Sequence, residues 1–150
     1  SHFSWRNNNV SVYKPFEHQH LGEIGQTLHQ LQPDFAHELH FVPMRGNFTR
    51  GILATLYTPS TLSEEEVVAC YQSFYASAPF VHLSHETVHL KQVVNTNHAL
   101  LQVQRIKGQV LVTSMIDNLL KGAAGQAIQN MNLMMGLSET TGLDFKPSYF

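Results

Sequence analysis

The sequence predicts an α+β fold, with a mixed, largely antiparallel sheet covered by helices, on three observations. Strand-like and helix-like stretches do not alternate strictly along the chain. Residues 98–116, HALLQVQRIKGQVLVTSMI, hold two alternating apolar runs around Lys107–Gly108, the pattern of a β-hairpin. A long helical pattern, DNLLKGAAGQAIQNMNLMMG, follows directly over residues 117–136. With 150 residues, 43% hydrophobic and 13% charged, the chain has material for a domain with a real core.

The elements follow in order. NVSVYKPF (9–16) alternates around Val10 and Val12 and ends at Pro15, a short strand. Residues 20–31 place Leu21, Ile24, Leu28 and Leu31 on one face of an amphipathic helix. Gly22 and Gly25 weaken that helix by up to ~1 kcal/mol each relative to Ala. Pro33 and Asp34 make a turn, and HELHFVPM (37–44) and RGILATLYTP (50–59) read as strands joined by the polar loop RGNFT. Ser63 followed by Glu66 is a capping box opening a helix over 64–77, with Val67, Cys70, Tyr71 and Phe74 along one face. PFVHL (79–83) and HETVHL (85–90) are two further strands ahead of the hairpin. Gly136 closes the last helix as its C′ residue, and Gly122, Ala123, Ala124, Gly125 and Ala127 give that helix a small-residue front.

Composition narrows the function classes. A formal charge of −2 provides no basic footprint for nucleic acid. No apolar run approaches the ~20 residues of a membrane span. The opening SHFSWRNNN lacks the plan of a signal peptide and an initiator Met, as in a chain cut from a longer one or processed. A single cysteine, Cys70, excludes an internal disulfide and fits a reducing compartment. Ten histidines, spread along the chain, are the one oddity.

Three of the polar residues, His18, His20 and Glu23, fall within six positions at the start of the first long helix. They suit an acid–base pair, an imidazole oriented by a carboxylate. They equally suit two histidines and a carboxylate on zinc, or a polar helix start whose Glu23 complements the dipole. His82, His85 and His89 lie in a β-rich stretch and are not expected to converge on a metal. His37 and His40, three apart on a strand, face opposite ways, while His40 and Arg50 flank the RGNFT loop as candidate anion contacts. Cys70, mid-helix among apolar residues, reads as a buried structural thiol.

Three stretches together resemble the N-acyl-γ-glutamyl-phosphate reductases of arginine biosynthesis (the N-acetyl-γ-glutamyl-phosphate reductase family), relatives of aspartate-semialdehyde dehydrogenase. HQHLGEI is similar to that family's H-R-H-T-P-E-I. FVPMRGNFTRGILATLY is similar to its H-L-V-P-M-x-R-G-I-L-A-T-x-Y, with four extra residues between VPM and the R-G pair, which leaves His40 an uncertain match. SMIDNLLKGAAGQAIQNMNLMMGLSETTGLDF resembles its C-terminal signature and is the most specific of the three.

The resemblance implies a fold like the C-terminal domain of aspartate-semialdehyde and glyceraldehyde-3-phosphate dehydrogenase relatives. Residues 1–117 would be a substrate-binding and dimerisation domain, and 118–150 a helix and tail that return to a dinucleotide-binding domain. The implied reaction is NADPH-dependent reduction of N-acetyl-γ-glutamyl phosphate to the semialdehyde. In it a cysteine thiolate displaces phosphate, hydride reduces the thioester and a histidine manages protons. By matching position His20 would be the acid/base, with His18 and Glu23 beside it. Arg50, with His40, would meet the substrate, and Asn118, Lys121, Gly122 and Gly125 would lie near the nicotinamide. No metal is implied. The family's G-C-[YF]-x-T nucleophile motif and glycine-rich phosphate loop are not in these residues. The implied object is therefore a fragment inactive alone and binding no NADP(H), from a cytoplasmic homo-oligomer whose partners are the acyl phosphate and the dinucleotide-binding domain. An N-succinyl or carrier-linked variant, or a histidine-rich zinc-binding or assembly domain, are the alternatives.

Overall fold

A computed structural model describes residues 3–147. The chain divides into two units at Thr49–Arg50. The first holds α1 (Phe3–Arg6), β1 (Ser11–Val12), α2 (His20–Leu31) and β2 (Met44–Arg45). The second holds β3 (Ile52–Pro59), α3 (Glu64–Tyr75), β4 (Val81–Ser84), β5 (Ala99–Ile106), β6 (Gln109–Ile116) and α4 (Gly125–Met134).

In the first unit β1 and β2 pair antiparallel, Ser11 opposite Arg45 and Val12 opposite Met44. The strand expected over 37–44 is reduced to its last residue plus Arg45. Pro43, which is buried, has no N–H to give a ladder. Its carbonyl still accepts from Tyr13 N–H at 3.1 Å, and the Phe41 carbonyl from Phe16 N–H at 2.9 Å. The segment is thus tied down without being a strand. α2 spans the residues its apolar spacing predicts, with Leu21, Ile24 and Leu28 half-buried and Leu31 exposed.

The second unit is built on a four-stranded sheet in the order β3-β6-β5-β4. β6 is antiparallel to both β3 and β5, and β4 runs parallel to β5, so the sheet is mixed and largely antiparallel, as expected. The predicted hairpin forms with Lys107 (φ 50°) and Gly108 (φ 81°) both left-handed, as a two-residue type I′ turn requires. Val103, Val110 and Val112 point to one face and pack with Val67 of α3, joined by Val68, Tyr71 and Leu83. Leu100 and Met115, of opposite parity, lie on the other face under Val88, Leu90 and Val93.

Several expectations need correction. Residues 85–90 form no strand: Ser84 Oγ accepts from Glu86 N–H (3.1 Å) and donates to Glu86 O (2.9 Å), turning the chain out of β4. A single 3₁₀ turn, Leu90–Gln92, follows instead. Cys70 is exposed, not buried. Val68 shares the inward stripe of α3 with Val67 and Tyr71, which rotates Cys70 and Phe74 to its solvent border. The continuous helix expected over 117–136 is divided. Leu120–Ala124 form a π-helical turn, with Gly122 N–H bonded to Asp117 O (2.9 Å) and Ala124 N–H to Leu119 O (3.0 Å). α4 then ends as predicted at Gly136 (φ 68°), whose N–H reaches Leu133 O while Leu137 N–H reaches Asn132 O, a Schellman closure.

The capping box of α3 is complete: Ser63 Oγ accepts from Glu66 N–H at 3.2 Å and Glu66 Oε2 from Ser63 N–H at 2.8 Å. Replacing Ser63 with Ala removes one acceptor at an exposed helix start and is expected to lower stability by about 1 kcal/mol. Urea unfolding of wild type and variant measures this, with an unchanged m-value.

Candidate active site

The first unit brings His18 and His20 together by a local route. His18 precedes α2 and His20 opens it, so the pair sits on the turn into the helix. Their ring centroids are 4.4 Å apart. Gln19, the N-cap, offers no side-chain cap to α2. His18 fills that role: Nδ1 accepts from His20 N–H at 3.2 Å and its carbonyl accepts from Leu21 N–H at 3.0 Å. An accepting Nδ1 puts the proton of a neutral His18 on Nε2. Partial burial, then the neighbouring His20, Lys14 and Arg45, push the His18 pKa down, against the opposing pull of Glu23. Tyr13 and Phe41 pack edge-on against the His18 ring at 5.5 and 5.4 Å. Glu23 lies in the first turn of α2 and hydrogen-bonds neither ring through its carboxylate. His40 is exposed and stands edge-on to Phe16 at 5.6 Å.

In the second unit the R-G pair before β3 meets the D-N pair after β6. Arg50 Nη2 donates to Asp117 Oδ1 at 3.0 Å, and Arg50 Nε lies 3.0 Å from Asp117 Oδ2. Gly51 N–H donates to Asn118 Oδ1 at 2.7 Å. Gly51 has a φ of +113°, and a Cβ there would stand 2.7 Å from Leu90 Cδ2, so backbone and space both demand glycine. Asp117 is 0% exposed and also accepts from the N–H groups of Asn95 (2.7 Å), Leu119 (2.7 Å) and Leu120 (2.9 Å). Burial alone would raise the Asp117 pKa. The backbone donors of Asn95, Leu120 and Leu119, with Arg50, outweigh it and hold the carboxyl below its usual range.

Beyond Asn118, Lys121 and Gly125 turn inward. Lys121 Nζ donates to Gln129 Oε1 at 2.8 Å and lies 5.5 Å from the Phe80 ring centroid. Burial lowers its pKa, with Glu139 opposing. Gly125 is buried against Asn97, and a Cβ there would collide with the Asn97 amide. Gly122 stays exposed, with only ordinary contacts waiting for a Cβ. Among the described residues no three histidine, cysteine, aspartate or glutamate side chains gather as metal ligands. His82 instead meets His98, Nε2 to Nδ1 at 2.8 Å. Sequence reasoning missed Asp117, Asn95 and His98. The signal available for Asp117 was an acidic residue where a strand runs into a helix start.

The sequence profile of the semialdehyde dehydrogenase dimerisation domain matches residues 1–118. The chain belongs to that family. It is 61% identical over all 150 residues to the N-acetyl-gamma-glutamyl-phosphate reductase of Flavobacterium johnsoniae, covering 46% of that protein. It is 57% identical to the enzyme of the same name from Christiangramia forsetii and 56% to that of Phocaeicola vulgatus, in each case over the whole chain and 47% of the relative. The chain thus spans about half the length of the curated relatives it matches. No helix among the described residues is long and apolar enough to cross a membrane.

Two outcomes test this geometry. Burial, then His82 and Lys121, lower the His98 pKa, while Asp144 opposes. The unfolded chain therefore binds a proton at His98 more readily than the folded one, so stability should fall as pH drops through about 6.5, the ordinary histidine value. Histidine NMR titration should find His98 below that value, and His82→Phe should move it upward. Gly51→Ala should destabilise the protein by about 1–3 kcal/mol through the left-handed backbone and the Leu90 clash, read as a drop in melting temperature.

Proposed function

We propose that this chain is the substrate-side half of an NADPH-dependent N-acetyl-γ-glutamyl-phosphate reductase of arginine biosynthesis, acting in the cytoplasm. The observation that carries the reading is identity of 53–61% over every residue of the chain to several proteins of that name. In this reading residues 1–117 bind substrate and dimerise, while 118–150 return to a dinucleotide-binding domain that also supplies the nucleophilic cysteine and phosphate loop. Cys70 is not that nucleophile: it lies on α3 beside Tyr71, Phe74 and Tyr75, with no basic group hydrogen-bonded to it.

Within the reading His20 moves protons during collapse and re-formation of the carbonyl, the work of a general acid/base. His18 holds the turn from which His20 projects, and Glu23 supplies negative charge nearby. Arg50 and His40 meet anionic groups of the substrate, for which a planar guanidinium suits carboxylate and phosphate alike. The residues matched to the nicotinamide are unequally available. Asn118 keeps its Nδ2 unbonded and Gly122 is open, whereas Lys121 and Gly125 are engaged with Gln129 and Asn97. When bound, NADPH supplies the hydride. The partner at β3 is a second copy of the chain: all eight residues of β3 are exposed, Leu53, Leu56 and Tyr57 among them, and among the described residues no strand pairs with its outer edge.

The full-length protein should oxidise NADPH with N-acetyl-γ-glutamyl phosphate, whereas residues 1–150 alone should not. Turnover by the isolated chain would sink the domain assignment. His20→Ala in the full-length protein should lower kcat by about 10²–10⁴-fold, and an unchanged rate would remove His20 from the chemistry.

A further inference from the structure

We propose that Asp117 is the positioning residue of this site, holding the Arg50 guanidinium by one edge so that the opposite edge faces an anionic group of the substrate. This rests on the reading above, in which Arg50 contacts substrate.

The carboxylate is the fixed partner of the two. Its two oxygens accept three backbone N–H groups from separate segments, Asn95 on one side and Leu119 and Leu120 on the other. With Arg50 added, Oδ1 takes three donors, and Oδ2 takes one and faces Nε. A carboxylate has about four lone-pair sites, so this one is saturated and has no room to turn. Asn95 gives its N–H from a left-handed backbone (φ 65°), a conformation set by the turn it sits in. Arg50, by contrast, has no other hydrogen-bond partner among the described residues, and its side chain is 27% exposed.

A guanidinium is planar, with its five N–H donors in a rigid fork. With Nη2 donating to Asp117 Oδ1 and Nε set against Oδ2 at ion-pair distance, Nη1 turns to the far side, where it is unbonded. Nη1 and the remaining Nη2 hydrogen form an edge suited to two oxygens of one carboxylate or phosphoryl group. The backbone next to it is pinned independently, by Asn118 Oδ1 on Gly51 N–H. Asp117 and Asn118 therefore grip the side chain and the backbone of the same dipeptide. A lysine at position 50 could satisfy the buried carboxylate, but as a point charge it would have no second edge to offer.

The test is steady-state kinetics of the full-length protein with N-acetyl-γ-glutamyl phosphate, comparing R50A, R50K, D117N and the double variant R50A/D117N, with melting temperatures alongside. R50A should raise KM about ten- to a hundredfold with a much smaller change in kcat, as loss of a charge-assisted contact predicts. D117N should do the same although Arg50 is intact, and the double variant should be no worse than R50A, because the two act as one unit. R50K should keep the melting temperature near wild type and still raise KM as far as R50A does. An unchanged KM in R50A would remove Arg50 from substrate binding and so overturn the underlying reading. A raised KM in R50A with a wild-type KM in folded D117N, or in R50K, would overturn the positioning role while leaving that reading intact. Should D117N not fold, R50K alone decides between the two outcomes.

Discussion

The buried Asp117 carboxylate is the constraint on which the organisation of the second unit turns. A carboxyl group with no exposure is costly to ionise unless its oxygens are fully satisfied, and here they are. The donors come from three places far apart in sequence: the R-G dipeptide before β3, the turn at Asn95 before β5, and the first N–H groups after β6. Donors from all three places act together to keep the buried carboxyl ionised. This ties the two edges of a three-strand antiparallel stretch to the helix start that leaves it. The π-helical turn belongs to the same arrangement, since Asp117 O accepts from Gly122 N–H while its side chain caps Leu119 and Leu120.

From that point the C-terminal segment follows an unusual polarity. α4 buries Gly125, Gln129 and Asn132 and exposes Ile128, Met131, Leu133 and Met134. Its inward side is a hydrogen-bonded amide chain: Asn97 donates to Gln129, Gln129 to Glu139, and Asn132 to the carbonyls of Glu139 and Thr141. Such a contact fixes register by pairing specific atoms, which apolar packing would not. It also leaves the apolar side of the helix, with Ile128, Met131, Leu133 and Met134, open to solvent.

The fold was largely legible because its signals are local. Lys107–Gly108, Ser63 with Glu66, and Gly136 each dictate a backbone conformation within a few residues, and the structure realises all three. Errors arose where a neighbour in space decides the outcome. Cys70 and Val68 are both compatible with an inward position on α3, and only the sheet beneath selects Val68. Strand propensity in HETVHL loses to a Ser84–Glu86 turn that no periodicity announces. The candidate site divides the same way. His18, His20 and Glu23 are visible because they are adjacent in sequence. The partner of Arg50 lies 67 positions away and the partner of His98 lies 16, so neither pairing leaves a mark in spacing.

The exposed apolar residues carry the last step. Mature surfaces rarely leave long apolar strands and helix faces open together. Here β3 shows Leu53, Leu56 and Tyr57, and α4 shows Met131, Leu133 and Met134. One lies at an open sheet edge with unpaired backbone groups, where a second strand or a second copy of the sheet can dock. The other is a methionine-rich helix face with its backbone already satisfied, suited to an apolar surface of irregular shape. The two surfaces differ in what they can accept, so a single partner chemistry does not serve both. The open sheet edge suits a further strand, whereas the helix face calls for a different kind of cover.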